Sequence, residues 1–125
     1  MLLNQAVQSF ENYIKMIDRS QATITCYIQE LEHFNDFLQI KHNGPVYLED
    51  IILQDLEDFM LYEKERGRAS SSRSMTLYIL RSFYNYACKK ELCNKNLAVL
   101  LEPVKVKQKE RDYLTEDEFE ELASA

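Results

Sequence analysis

SSSRSMTLYILRSFYNYA, residues 70–87, carries a helix start, a buried stripe and a face left over for a partner. Serine oxygens accept from the orphan amides of a first helical turn, so Ser70, Ser71 and Ser72 are N-cap candidates. Leu77, Leu80, Tyr84 and Ala87 recur at helical spacing and predict one buried side. The opposite side reads Ser71, Met75, Tyr78, Ser82, Asn85 and Lys89, uncharged except at its end. Such a face can lie against something other than water.

The charge around this helix opposes that of the whole. Between Lys64 and Lys95 eight basic residues stand against Glu65 and Glu91, a local +6, while the 125-residue chain carries −6. Cations grouped in this way are what a polyanion-binding surface needs, because neutralising phosphates releases counterions. The competing reading is a solvated helix face with ordinary charge asymmetry.

A chain of this length with 46% hydrophobic residues makes one domain with a real core, and two Gly, two Pro and no long β-branched alternation point to helices. Cys26, Cys88 and Cys93 are odd in number and form no CxxC pair. With no signal peptide and no membrane-length apolar run, the expectation is a reduced, cytoplasmic protein without a membrane partner. Cys88 and Cys93 with His33 or His42 lack zinc-ligand spacing. No metal or cofactor is expected.

From the N-terminus, Leu3, Val7, Phe10, Ile14 and Ile17 make one apolar stripe on a first helix ending near Asp18 and Arg19. Ser20 caps a second, in which Ile24, Tyr27, Ile28, Leu31, Phe34 and Leu38 face inward while Ala22, Thr25, Cys26, Gln29 and His33 face outward. His42-Asn43-Gly44-Pro45 breaks the chain. A third helix over about 53–65 places Leu53, Leu56, Phe59 or Met60 and Glu63 in register, with Gly67 as its stop.

Beyond the fourth helix, Asn94 to Leu101 reads as a short apolar turn or helix that closes the bundle, and Glu102 to Asp112 as a linker. Thr115 and Glu118 then form a capping box, and the stripe begun by Phe119 and Leu122 stops with the chain. The expectation is three parts: a helical domain over 1–101, a linker over 102–112, and over 113–125 the start of a second domain cut short. The alternative is a C-terminal helix folded back on the bundle.

These residues carry a resemblance. Thr23-x-x-x-Tyr27 with Leu31-x-x-Phe34 is followed by Ser71-Ser72 ahead of Leu80-Arg81-Ser82-Phe83-Tyr84. Asn96-Leu97 and Tyr113-Leu114-Thr115-x-x-Glu118 come after. In order and spacing the set resembles the N-terminal core-binding domain of tyrosine site-specific recombinases, the phage-integrase SAM-like domain. The resemblance implies an all-α, four-helix SAM-like orthogonal bundle that forms one half of a clamp on double-stranded DNA, the other half being a catalytic domain. It implies that the second and fourth helices approach the major groove, which puts Thr23, Thr25, Cys26 and Gln29, and Ser71, Ser72, Met75 and Tyr78, at the DNA. Hydroxyls and amides suit phosphate and base-edge hydrogen bonds, and Met75 suits a thymine methyl or a sugar. Arg68, Arg73 and Arg81 flank that face as phosphate candidates. Recombinases of this kind assemble as tetramers on paired sites, so other protomers are implied partners.

The sequence departs from the family pattern at Asn96-Leu97, where Asn-Pro is frequent, and in the scarcity of Lys and Arg on the outer face of the fourth helix. The family's catalytic constellation, a tyrosine nucleophile with arginines, histidine and lysine, belongs to the catalytic domain. No His-x-x-Arg occurs in this chain, so residues 1–125 are expected to be catalytically inert. Two rivals stand beside this reading: a helical interaction module whose Met75 and Tyr78 dock a partner helix, and a free-standing helical regulator.

Overall fold

The computed structural model of the chain describes residues 1–104. The expected capping box at Thr115 and Glu118, the stripe at Phe119 and Leu122, Tyr113 and most of the linker lie outside the described residues. Within them the fold is all-α: α1 (Leu3–Met16), α2 (Gln21–His42), α3 (Leu53–Glu65) and α4 (Ser70–Lys89), with 3-10 turns at Leu48–Asp50 and Leu97–Leu100. No helix of the described residues is long and apolar enough to cross a membrane.

All four helices close in the same way. A left-handed residue follows the last turn, and the next amide reaches back five residues to a carbonyl: Arg19 to Ile14, Gly44 to Gln39, Arg68 to Glu63 and Leu92 to Ala87. This satisfies carbonyls the helix leaves orphaned. The left-handed residues are Asp18 (φ 62°), Asn43 (φ 59°), Gly67 (φ 92°) and Glu91 (φ 61°). Gly67 and the Asn43-Gly44 break follow from local propensity, whereas Asp18 and Glu91 are acids in a conformation that favours glycine. The closure at Asp18 corrects one expectation: α1 stops at Met16, and Ile17 leaves the stripe and is 39% exposed.

Serine caps one of the two helix starts expected to carry it. Ser20 caps α2, its hydroxyl oxygen accepting from the Thr23 amide at 3.2 Å. At α4 the N-cap is Ala69, and the serine run lies inside the first turn instead of ahead of it. Ala69 has the extended backbone of a cap (φ −63°, ψ 152°) without a side-chain oxygen to supply a bond.

α4 is the hub of the core. Its buried side is wider than the expected stripe, because Thr76, Ile79, Phe83 and Tyr86 join Leu77, Leu80, Tyr84 and Ala87. Phe83 meets Phe10 of α1 edge-on at 5.7 Å, and Phe34 of α2 meets Phe59 of α3 at 5.0 Å. Edge-to-face pairs of this kind add to the area they bury. On α2, Ile24, Leu31, Phe34 and Leu38 are buried, while Tyr27 and Ile28 are only half-buried at its margin. The turn at Leu97–Leu100 does close the bundle, through fully buried Ala98, and Leu101 and Val104 continue the packing.

Candidate nucleic-acid interface

The outer faces of α2 and α4 lie side by side. Tyr27 of α2 and Tyr78 of α4 touch edge to face at 6.3 Å, and one turn further along α2 the Thr76 hydroxyl lies 2.9 Å from a Glu30 oxygen. Around this seam Thr25, Cys26 and Gln29 are exposed on α2, as are Ser71, Met75 (49%) and Tyr78 (55%) on α4. Thr23 is half-buried and takes a hydrogen bond from Ser20. Ser72 is half-buried, and its carbonyl accepts from the Thr76 hydroxyl. Both flanks are therefore free of core duty along most of their length. Burial and the neighbouring Tyr78 hold the Tyr27 phenol above its ordinary pKa.

The three arginines differ from one another in their surroundings. Among the described residues Arg73 makes only an Nε–H bond to the Arg68 carbonyl, at 3.3 Å. Arg81 is a clasp, with Nε 3.3 Å from the Ala98 carbonyl and Nη2 2.8 Å from that of Leu101. Arg68 is tied into a network: Nη1 donates to Glu63 at 2.6 Å and to Glu30 at 2.9 Å. Its guanidinium lies among partners on α2, α3 and α4.

The centre of that network is Glu63, which is fully buried on α3. It accepts from Arg66 at 2.8 Å as well as from Arg68, and His33 Nε2 lies 3.0 Å away. Burial alone would raise this carboxyl, but the bonds from Arg66, Arg68 and His33 outweigh it and hold the pKa at about 2. His33, expected on the outer face of α2, is half-buried against α3, where it meets the buried Glu63 carboxylate and the Phe59 ring. The signal for this cluster was present in the sequence: a glutamate in register with Leu53, Leu56 and Phe59 places a charge on a buried stripe.

These pairings divide the molecule electrically. Lys15, Lys41, Arg66 and Arg68 each pair with a carboxylate. Among the described residues from α4 onward, Arg73, Arg81, Lys89, Lys90 and Lys95 have no ion pair, and the same segment holds two acids, Glu91 and Glu102. The positive charge of α4 is therefore left for solvent or a ligand.

The four-helix bundle, with the outer faces of α2 and α4 adjoining, has the architecture of a SAM-like domain. Residues 7–91 match the family model for the phage integrase N-terminal SAM-like domain, and the chain belongs to this family. It is 31% identical over 103 residues to the tyrosine recombinase XerC of Bacillus licheniformis, covering 82% of this chain and 33% of that protein. Against XerC of Bacillus subtilis it is 27% identical over 125 residues, covering 93% and 40%. The chain thus spans about two fifths or less of these curated relatives. In fold it is similar to a lambda integrase dimer bound to a COC' core site, with a TM-score of 0.74 at 17% identity over 86% of this chain and 37% of that one. A lambda integrase tetramer bound to a Holliday junction gives 0.68 at 16% identity over 86% and 30%.

Proposed function

We infer that this chain is the core-binding domain of a tyrosine recombinase and grips duplex DNA with the joined outer faces of α2 and α4. The single observation that carries the reading is the seam itself: Tyr27 against Tyr78 brings together the exposed outer faces of α2 and α4, whose outward residues Thr25, Cys26, Gln29, Ser71, Met75 and Tyr78 are uncharged. The lambda integrase structures of the same fold hold that protein on a core site and on a Holliday junction, which supports DNA as the ligand and other protomers as partners here.

In this arrangement Gln29, Thr25, Ser71 and Ser72 offer hydrogen bonds to base edges and phosphates, Cys26, Met75 and Tyr78 offer apolar surface to sugars and thymine methyls, and Arg73 brings free guanidinium N–H groups. Thr23 acts through the cap that orients α2. Arg68 and Arg81 serve the surface from behind, by fixing α4 to its neighbours. Residues 1–101 form the domain, 102–112 link it, and 113–125 begin a catalytic domain that carries out DNA cleavage and rejoining in the cytoplasm, in a tetramer of protomers. The chain of residues 1–125 has no part of that chemistry and needs no cofactor.

Fluorescence anisotropy of a labelled random-sequence duplex, titrated with the 125-residue chain at several salt concentrations, tests the reading. Binding that weakens steeply with salt, and is reduced by Tyr78→Ala and by Arg73→Ala, is the expected result. No binding at low salt, or the same affinity at every salt concentration, would overturn it.

A further inference from the structure

The stripe on the outer face of α4 does not stop at Tyr78. It continues through Ser82 and Asn85 to Lys89, and this far end opens into a cleft of about 160 Å3 between α4 and the α1–α2 turn. Arg19, Tyr27, Ser82, Asn85 and Lys89 are among its lining residues, and no carboxylate lines it. Arg19 and Lys89 are both exposed, and neither has a carboxylate partner among the described residues. Arg19 is held at the rim by the closure of α1, in which its amide bonds to the Ile14 carbonyl at 3.1 Å. On its other side Ser20 begins α2.

We propose that this cleft is a seat for one phosphodiester of the bound duplex, a site distinct from the base-facing seam and resting on the DNA-binding reading above. Two cations from separate elements line one cleft together with the hydroxyls of Tyr27 and Ser82 and the amide of Asn85, on a floor of Phe10, Tyr13, Ile14, Ile17 and Tyr86. Cations with hydroxyl and amide donors are the set an anionic tetrahedral group takes. Its position fits as well. From Ser71 to Lys89 the stripe runs about 27 Å by the helical rise, more than twice the major groove's width of about 12 Å. An α4 laid across the groove with Met75 and Tyr78 at the bases therefore carries Lys89 past the groove edge and onto the backbone. Arg19, 70 residues away in sequence, is the second jaw.

The test uses the full 125-residue chain with Arg19→Gln and Lys89→Gln, and with Lys15→Gln as control, since Lys15 is paired with Glu11 on α1. Duplex affinity is measured across a salt series. Each cleft variant is expected to weaken binding several-fold and to reduce the slope of log K against log salt by about one, the share of one phosphate contact, while Lys15→Gln leaves the slope unchanged. If the parent chain binds and Tyr78→Ala weakens it, yet Arg19→Gln and Lys89→Gln keep the parent slope, the seat is overturned and the seam stands. An equal slope change with Lys15→Gln assigns the effect to net charge and also overturns the seat. If the parent chain binds no duplex, the DNA reading itself fails and the seat with it.

Discussion

Arg68 grips Glu30 with both prongs of its guanidinium, Nη1 2.9 Å from one carboxylate oxygen and Nη2 3.3 Å from the other, across 38 residues of sequence. The same Nη1 reaches Glu63 on α3, and Thr76 of α4 lies 3.2 Å from it. One side chain in the α3–α4 connection therefore fixes three helices relative to each other, and with them the spacing of the two outer faces.

Arg68→Met leaves Glu63 buried with less than its full set of donors. A loss of about 3 kcal/mol in unfolding free energy is expected, the range for removing one partner of a buried pair. Urea denaturation checks it, and a loss below about 1 kcal/mol would mean that Arg66 and His33 suffice.

The Glu63 carboxylate also predicts an acid limb. Its folded pKa of about 2 lies below the ordinary value of 4.5, so the unfolded chain binds the proton more readily. The stabilisation is complete above pH 4.5 and is lost as pH falls through 2, about 3 kcal/mol in all. Denaturation at successive pH values should show this fall reduced in Glu63→Gln, when each protein is compared with its own stability at neutral pH.

Arg81→Ala removes both bonds from α4 to the Ala98 and Leu101 carbonyls. The expected cost is about 2 kcal/mol, as for hydrogen bonds from a charged donor. Hydrogen exchange should quicken at the Leu101 amide, which closes the turn at Leu97–Leu100, and at buried Ala98, before it does so in α1.

At the end of α4, Glu91 occupies the left-handed region with a β-carbon. Glu91→Gly should raise stability by several tenths of a kcal/mol to about 1 kcal/mol, since relief of the steric cost outweighs the added freedom of the unfolded chain. A lower melting temperature would count against this closure.

The three thiols differ in exposure. Cys26 is exposed on α2, whereas Cys88 and Cys93 lie 3.5 Å apart, and burial with the Cys88 contact pushes the Cys93 pKa up to about 11. A thiol reagent at neutral pH should label Cys26 well before Cys93. Mass analysis of early time points that found Cys93 modified first would contradict the packing around it.

Helix periodicity is a local property, and it placed the four helices, the Ser20 cap, the Gly67 stop and the exposed stripe from Ser71 to Lys89 without reference to any distant residue. It misplaced what depends on tertiary approach. The serine run looked like a cap because its chemistry is right, but the chain turned one residue earlier, at Ala69. Ile17 continued a repeat that Asp18 had already ended. The uses of the arginines were set by neighbours 17 to 38 residues away: Glu30 for Arg68, and the Ala98 and Leu101 carbonyls for Arg81. A glutamate on a buried stripe announced that cations would be drawn inward, but which ones answered depended on the angles at which α2, α3 and α4 met.

By itself, then, the sequence determined an all-α bundle, its core stripes, the two polar faces and the cationic fourth helix, because each follows from the rise and turn of one helix. Only the tertiary structure decided that those faces adjoin at Tyr27 and Tyr78, that Arg68 and Arg81 hold the fold, and that Arg19 and Lys89 share a cleft. Charge pairing acts through space over a few ångströms, and no one-dimensional pattern records which distant side chains come that close.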